Sequence, residues 1–297
     1  GKQNPFKQRI MTMPFCKTGS ALNYVMGKDI IKLKKEKLYS NLAELLQTVK
    51  ALHDLNISCL DIKLGNTFTT CGENKNLFAL ADTDGFTHFK SKNEMWKNSG
   101  KCVYSPGYVA PPGPKSREAG KRGFGGPNTD WLAILMVVVF IYYRYKVKDI
   151  NLWYKIISWK KRGDMDSRIA AINDLFHTDM FKDKVTYKKT YKKRFRVFIE
   201  NLQMSPPNND IIINLITDAL LSCGNEDLYN KNNSTYWNKN NKTKIGTFID
   251  GPTHWYNLYI KPIINELNPE FNLLQVAKSA RNRRGRLNKE KRNYNKR

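Results

Sequence analysis

Asp61, Lys63 and Asn66 follow one another within a short polar stretch, Leu60-Asp61-Ile62-Lys63-Leu64-Gly65-Asn66, and a second carboxylate, Asp82, comes sixteen residues later. Two carboxylates, an ammonium and an amide at this spacing have a specific chemical competence. One carboxylate can orient an attacking hydroxyl and accept its proton. The lysine can neutralise charge on a transferred phosphoryl group, and the amide oxygen with the second carboxylate can hold Mg²⁺. The set therefore points to phosphoryl transfer from a nucleotide. Asp61 or Lys63 alone would read as a solvated loop charge; the joint spacing with Asn66 carries the signal. In Leu80-Ala81-Asp82-Thr83-Asp84-Gly85 either acid can be aligned as the metal ligand. Asp82 is favoured because it directly follows the apolar run, with Asp84 as the rival.

These residues need elements to hold them. Leu38, Leu42, Leu45, Leu46, Val49, Leu52 and Leu55 recur at helical spacing, predicting about five turns with one buried face, ended by Asn56-Ile57. Upstream, residues 9–16 read as a short strand and 20–27 as a small helix capped by Ser20 and stopped near Gly27. Phe68-Thr69-Thr70 and residues 76–81 read as short strands joined by a turn at Gly72-Glu73-Asn74. Residues 85–127 form a long irregular stretch rich in Gly, Pro, Ser and Lys, and a loop of that length is usually functional. Thr129-Asp130 opens a hydrophobic helix through about Tyr145, expected to be buried on all sides. Further helices are expected at 151–160, 167–177, 190–203 and 209–222. Residues 224–245, dominated by Asn and Lys, read as a loop, and 253–277 as one or two packed helices. We divide the chain at 1–222, 223–278 and 279–297, the last a disordered basic tail.

The order of these pieces resembles the C-terminal lobe of a eukaryotic-type protein kinase, over residues 9–222. Residues 11–22 resemble the hinge and the helix after it. Ile57-Ser-Cys-Leu-Asp61-Ile-Lys63-Leu-Gly-Asn66 resembles the catalytic loop, and Leu80-Ala-Asp82-Thr-Asp84-Gly85 the magnesium segment. Ser105-Pro-Gly-Tyr108-Val-Ala-Pro111-Pro112 resembles the end of the activation segment, and Thr129-Asp130-Trp131 the start of the buried helix that braces the loop. The resemblance implies a mostly α fold with short β hairpins: a kinase-like large lobe with a basic C-terminal extension and no small lobe. It implies Ser/Thr-type phosphoryl transfer with ATP and Mg²⁺. Asp61 and Lys63 would be catalytic, Asn66 and Asp82 would bind the cofactor and its metal, and Asp130 would be structural. Cys59 and Leu60 stand where the family has His and Arg, Thr83 replaces its Phe, and Pro112 its Glu. The chain begins at Gly1, consistent with a processed product or a fragment. Residues 1–10 hold no phosphate-covering loop, so a protein substrate or a partner supplying the small lobe is the expected companion.

Charge bounds the remaining classes. With 51 Lys and Arg against 26 Asp and Glu, the net charge is +25 and the pI near 9.8. Such a surface attracts polyanions, nucleic acid among them. Two basic stretches are candidate contacts: Lys188, Lys189, Lys192, Lys193 and Arg194, interleaved with Tyr187, Tyr191 and Phe195, and Arg281, Arg283, Arg284 and Arg286 in the tail. The alternative function is thus a kinase-derived pseudokinase, a structural, nucleic-acid-associated component such as one of a large DNA virus particle. Five scattered cysteines suit a reducing compartment. The longest apolar run, Trp131 to Tyr143, is too short to span a bilayer. An intracellular setting, cytoplasm or nucleus, or a virion is expected. His53, His88, His177 and His254 lack ligand spacing and read as ordinary helix or loop residues. Gly123-Phe-Gly-Gly126 lacks the lysine of a phosphate-binding loop.

Overall fold

The computed structural model describes residues 19–28, 30–59, 61–69, 78–82, 85–91, 108, 127–157, 195, 197–205, 209–223, 253 and 255–269. Helix α1 (Ala21–Met26) follows Ser20 and buries Ala21, Tyr24 and Val25. A 3-10 turn (Ile30–Lys32) leads to α2 (Lys35–Asp54), where Leu38, Leu42, Leu45, Leu46 and Val49 form one buried face. Asn56, at φ +60°, turns the chain out of the helix, a left-handed backbone that Asn accepts readily. Leu55 belongs to this turn and is 62% exposed, so it does not share the apolar face as its spacing had suggested.

The axis of the fold is α3 (Pro127–Lys146), in which every residue from Asp130 to Arg144 is buried. A helix apolar on all sides must be enclosed. Enclosure comes from α1, α2, α4 (Ile150–Ile157) and α5 (Ile211–Cys223). A π-turn (Tyr256–Ile260) and α6 (Lys261–Leu267) pack on α2 and α5, within the same hydrophobic core. The two charged residues of the buried axis sit at its ends, Asp130 in the first turn and Arg144 in the last, where the helix dipole favours each. Arg144 donates to the carbonyls of Val25 (2.8 Å), Gly27 (3.2 Å), Val147 (3.0 Å) and Lys148 (3.1 Å), pinning α1 to the end of α3. Among the described residues, no helix is long and apolar enough to cross a membrane.

Four short strands form two antiparallel pairs, one nested in the other. The inner pair joins β2 (Thr67–Thr69) to β3 (Phe78–Leu80), and the outer pair joins β1 (Ile57–Ser58) to β4 (Thr87–His88). The nesting has a geometric consequence: the described residues of the two segments between the pairs, 59 and 61–66 on one side and 81–82 and 85–86 on the other, must face each other. Residues 68–69 also meet the entry to α1, through a Ser20–Phe68 bridge and two bonds from Thr69 to the Gly19 carbonyl.

The mostly helical fold with short antiparallel strands matches the expectation. Thr87–His88 differs, because a strand stands where the reading gave irregular chain. The expected strand at 9–16, helix at 167–177, turn at 72–74, Asn/Lys-rich loop and basic tail lie outside the described residues.

Candidate active site

The loop between β1 and β2 is held from below. Asp130 Oδ2 accepts from the Cys59 backbone N–H (2.8 Å) and the Ser58 hydroxyl (2.7 Å), and lies 2.9 Å from His53 Nε2. Since a carboxylate only accepts, that nitrogen carries the imidazole proton. Asp130 is 1% exposed, so these are buried, charge-assisted bonds of the stronger kind. Burial, with the Asp130 charge adding to it, pushes the Cys59 thiol far above its ordinary range. Cys59 is a buried thiol packed in the core. From above, the Tyr108 hydroxyl lies 3.4 Å from the Leu64 N–H, and burial raises its phenol well beyond the usual value.

The two facing segments are zipped at both ends. Next to the inner strands, Ala81 N–H donates to the Asn66 carbonyl at 2.8 Å. Next to the outer strands, Gly85 lies so near that a Cβ there would stand 2.8 Å from the Cys59 carbonyl oxygen. Only glycine fits that approach.

Between the zipped ends the four expected residues meet. Lys63 Nζ donates to Asp61 Oδ2 at 2.7 Å. Asn66 Nδ2 donates to Asp61 Oδ2 (2.9 Å), to the Asp61 carbonyl (3.1 Å) and to Asp82 Oδ2 (3.1 Å). One amide thus bridges the two carboxylates. The Asp61 side chain is 7% exposed and Lys63 26%, while Asp82 is exposed, so the cluster opens outward on the Asp82 side. Asp82 adopts φ +59°, a left-handed backbone that costs energy outside glycine and recurs at functional sites.

The donor set suits Mg²⁺. That ion takes one or two carboxylates and fills its remaining positions with water and substrate phosphate, without an all-protein cage. Among the described residues, no three His, Cys, Asp or Glu side chains cluster as a metal site.

Asp84 lies outside the described residues, as do Lys188, Lys189, Lys192, Lys193, Arg194, Arg281, Arg283, Arg284 and Arg286. Phe195, one of the aromatics read as interleaved with the first basic stretch, is buried and packs on Phe198 at 6.3 Å, so it belongs to the core and cannot stack on a base. Reasoning from spacing missed the role of His53, whose only signal was a polar residue on the buried side of α2. It also missed Gly85, signalled by its place directly after the acidic pair. No protein-family model matches the chain, and no curated protein matches it.

Proposed function

We propose that this chain carries the phosphotransfer lobe of an ATP- and Mg²⁺-dependent enzyme of protein-kinase type, acting on serine or threonine hydroxyls of proteins. The observation that carries the reading is the Asn66 amide bridging Asp61 and Asp82, with Lys63 on Asp61 and a buried aspartate bracing the loop. Asp61 orients the substrate hydroxyl and accepts its proton. Its bonds from Lys63 and Asn66 fix the direction of the carboxylate. Lys63, tethered to Asp61, brings an ammonium to the position where negative charge gathers on the transferred group. Asn66 and Asp82 would hold Mg²⁺, which neutralises charge between the nucleotide phosphates.

The test is transfer of labelled γ-phosphate from Mg²⁺·ATP to mixed protein substrates, with Asp61→Asn as the control. Transfer by the wild-type chain that the variant loses supports the reading; equal transfer by both removes Asp61 from its role. Independently, Mg²⁺·ATP at about a hundredfold over its dissociation constant should add roughly 2.7 kcal/mol of stability. In a chain of this size that raises Tm by roughly 5–10 °C.

The net charge of +25 favours a second reading, a kinase-derived pseudokinase that binds a polyanion such as the nucleic acid of a virus particle. No thermal response to Mg²⁺·ATP, together with nucleic-acid binding that weakens steeply with salt, would select it.

A further inference from the structure

Trp131 is the chain neighbour of Asp130, and three rings surround it. His53 meets it edge-on at 5.2 Å and 87°, while Trp255 and Tyr256 each pack against it, tilted, at 5.8 Å and 44°. Tyr259 packs on Trp255 at 5.6 Å, and Lys50 covers the Tyr256 ring at 5.2 Å. Two successive residues of an α-helix point about 100° apart and do not ordinarily share one neighbour. Here Trp255 immediately precedes a π-turn at Tyr256–Ile260. π-turns are rare and concentrate at functional sites.

We propose that Trp255 and Tyr256 are positioning residues for the Asp61 loop, acting through Trp131 and the contact between His53 and Asp130. The linkage is continuous. Trp255 and Tyr256 fix the Trp131 indole, which walls the His53 imidazole. His53 bonds the same Asp130 oxygen that accepts the Cys59 N–H, two residues before Asp61. The inference rests on the phosphotransfer reading only for its consequence in catalysis; the effect on the loop is measurable without any activity.

Trp255 is also a core residue, 1% exposed, so the test compares it with a core lesion elsewhere. Trp255→Leu is set against Phe198→Leu, a buried ring that packs on Phe140 and Phe195, in the full chain at conditions giving equal global stability. Amide hydrogen exchange at Ser58 and Cys59 should quicken on the order of tenfold more in Trp255→Leu. The His53 imidazole proton resonances should shift as the Trp131 ring moves. Trp255→Phe should restore both, and Tyr256→Leu, at a less buried position, serves if Trp255→Leu does not fold. Equal exchange in the two core variants, or an unmoved His53 resonance, overturns the proposal. In the phosphotransfer assay the Trp255→Leu variant should lose kcat with KM for ATP unchanged. A wild-type chain that transfers no phosphate defeats the reading of the site, while exchange and resonance still decide the positioning role.

Discussion

Replacing Asp130 with Asn should loosen the loop without opening a hole beneath it. A single oxygen, Asp130 Oδ2, receives His53 Nε2, Ser58 Oγ and Cys59 N at 2.9, 2.7 and 2.8 Å. An amide of the same shape keeps one acceptor oxygen but removes the charge. A hydrogen bond to a charged group contributes about 1.5–3 kcal/mol and a neutral one about 0.5–1.5 kcal/mol, so each contact weakens by on the order of 1 kcal/mol. Three donors on one oxygen are not independent, and the net loss is about 2–3 kcal/mol. At about 2–4 °C per kcal/mol, Tm falls by roughly 5–10 °C. Alanine is far worse. It leaves three buried donors unpaired at about 1–3 kcal/mol each, comparable with the whole stability of many domains, and should give no folded protein. Urea unfolding followed by tryptophan fluorescence measures the difference, because Trp131 adjoins the substitution. The midpoint should fall with the slope unchanged. An Asp130→Asn chain within about 0.5 kcal/mol of the wild type would refute the argument that charge holds the loop.

Three further predictions follow from close contacts elsewhere. Gly85→Ala drives a Cβ to 2.8 Å from the Cys59 carbonyl oxygen and 3.6 Å from Asp61 Cβ; urea unfolding should show a loss of about 1–3 kcal/mol, with phosphotransfer reduced as the two facing segments separate. Arg144→Met removes the donor from four backbone carbonyls and should lower stability by about 2–4 kcal/mol in thermal melts. Arg144→Lys should recover little, since one ammonium cannot reproduce the planar fork. Burial raises the Glu44 carboxyl above its ordinary value of 4.5, and its Oε2 is buried with no hydrogen-bond partner. The folded state therefore holds that proton more tightly than the unfolded one, so the destabilisation is absent below pH 4.5 and develops as pH rises past it. Glu44→Gln should raise the urea midpoint at neutral pH and leave it unchanged in acid.

The helices were legible because each has a period. Leucine spacing marked α2, and unbroken apolarity marked α3 as the buried axis. That Asp61, Lys63, Asn66 and Asp82 belong together was suggested by their types and spacing, and the structure brings the four into contact. What spacing could not supply was the cause of their meeting. β1 and β4 are two residues each, too short to show alternation, yet their pairing closes the loop that sets Asp61 opposite Asp82. Arg144 carried no signal in the sequence, whereas its guanidinium is buried among carbonyls that belong partly to α1. Trp255 read as part of one or two packed helices over 253–277, with no sign of what it packs on. Its partner Trp131 is distant in the chain, and only packing joins them.

The nested strands have a consequence for how such a molecule is built and altered. The outer pair closes about thirty residues, a loop whose ends meet at modest entropic cost, and within it lie all four side chains of the candidate site. These groups are therefore encoded in one contiguous passage that gene rearrangement can move as a piece. The stiffness of that passage is encoded later, at Asp130 and at the rings of Trp131 and Trp255. Heredity can consequently tune how firmly the groups are held while leaving unchanged which groups they are.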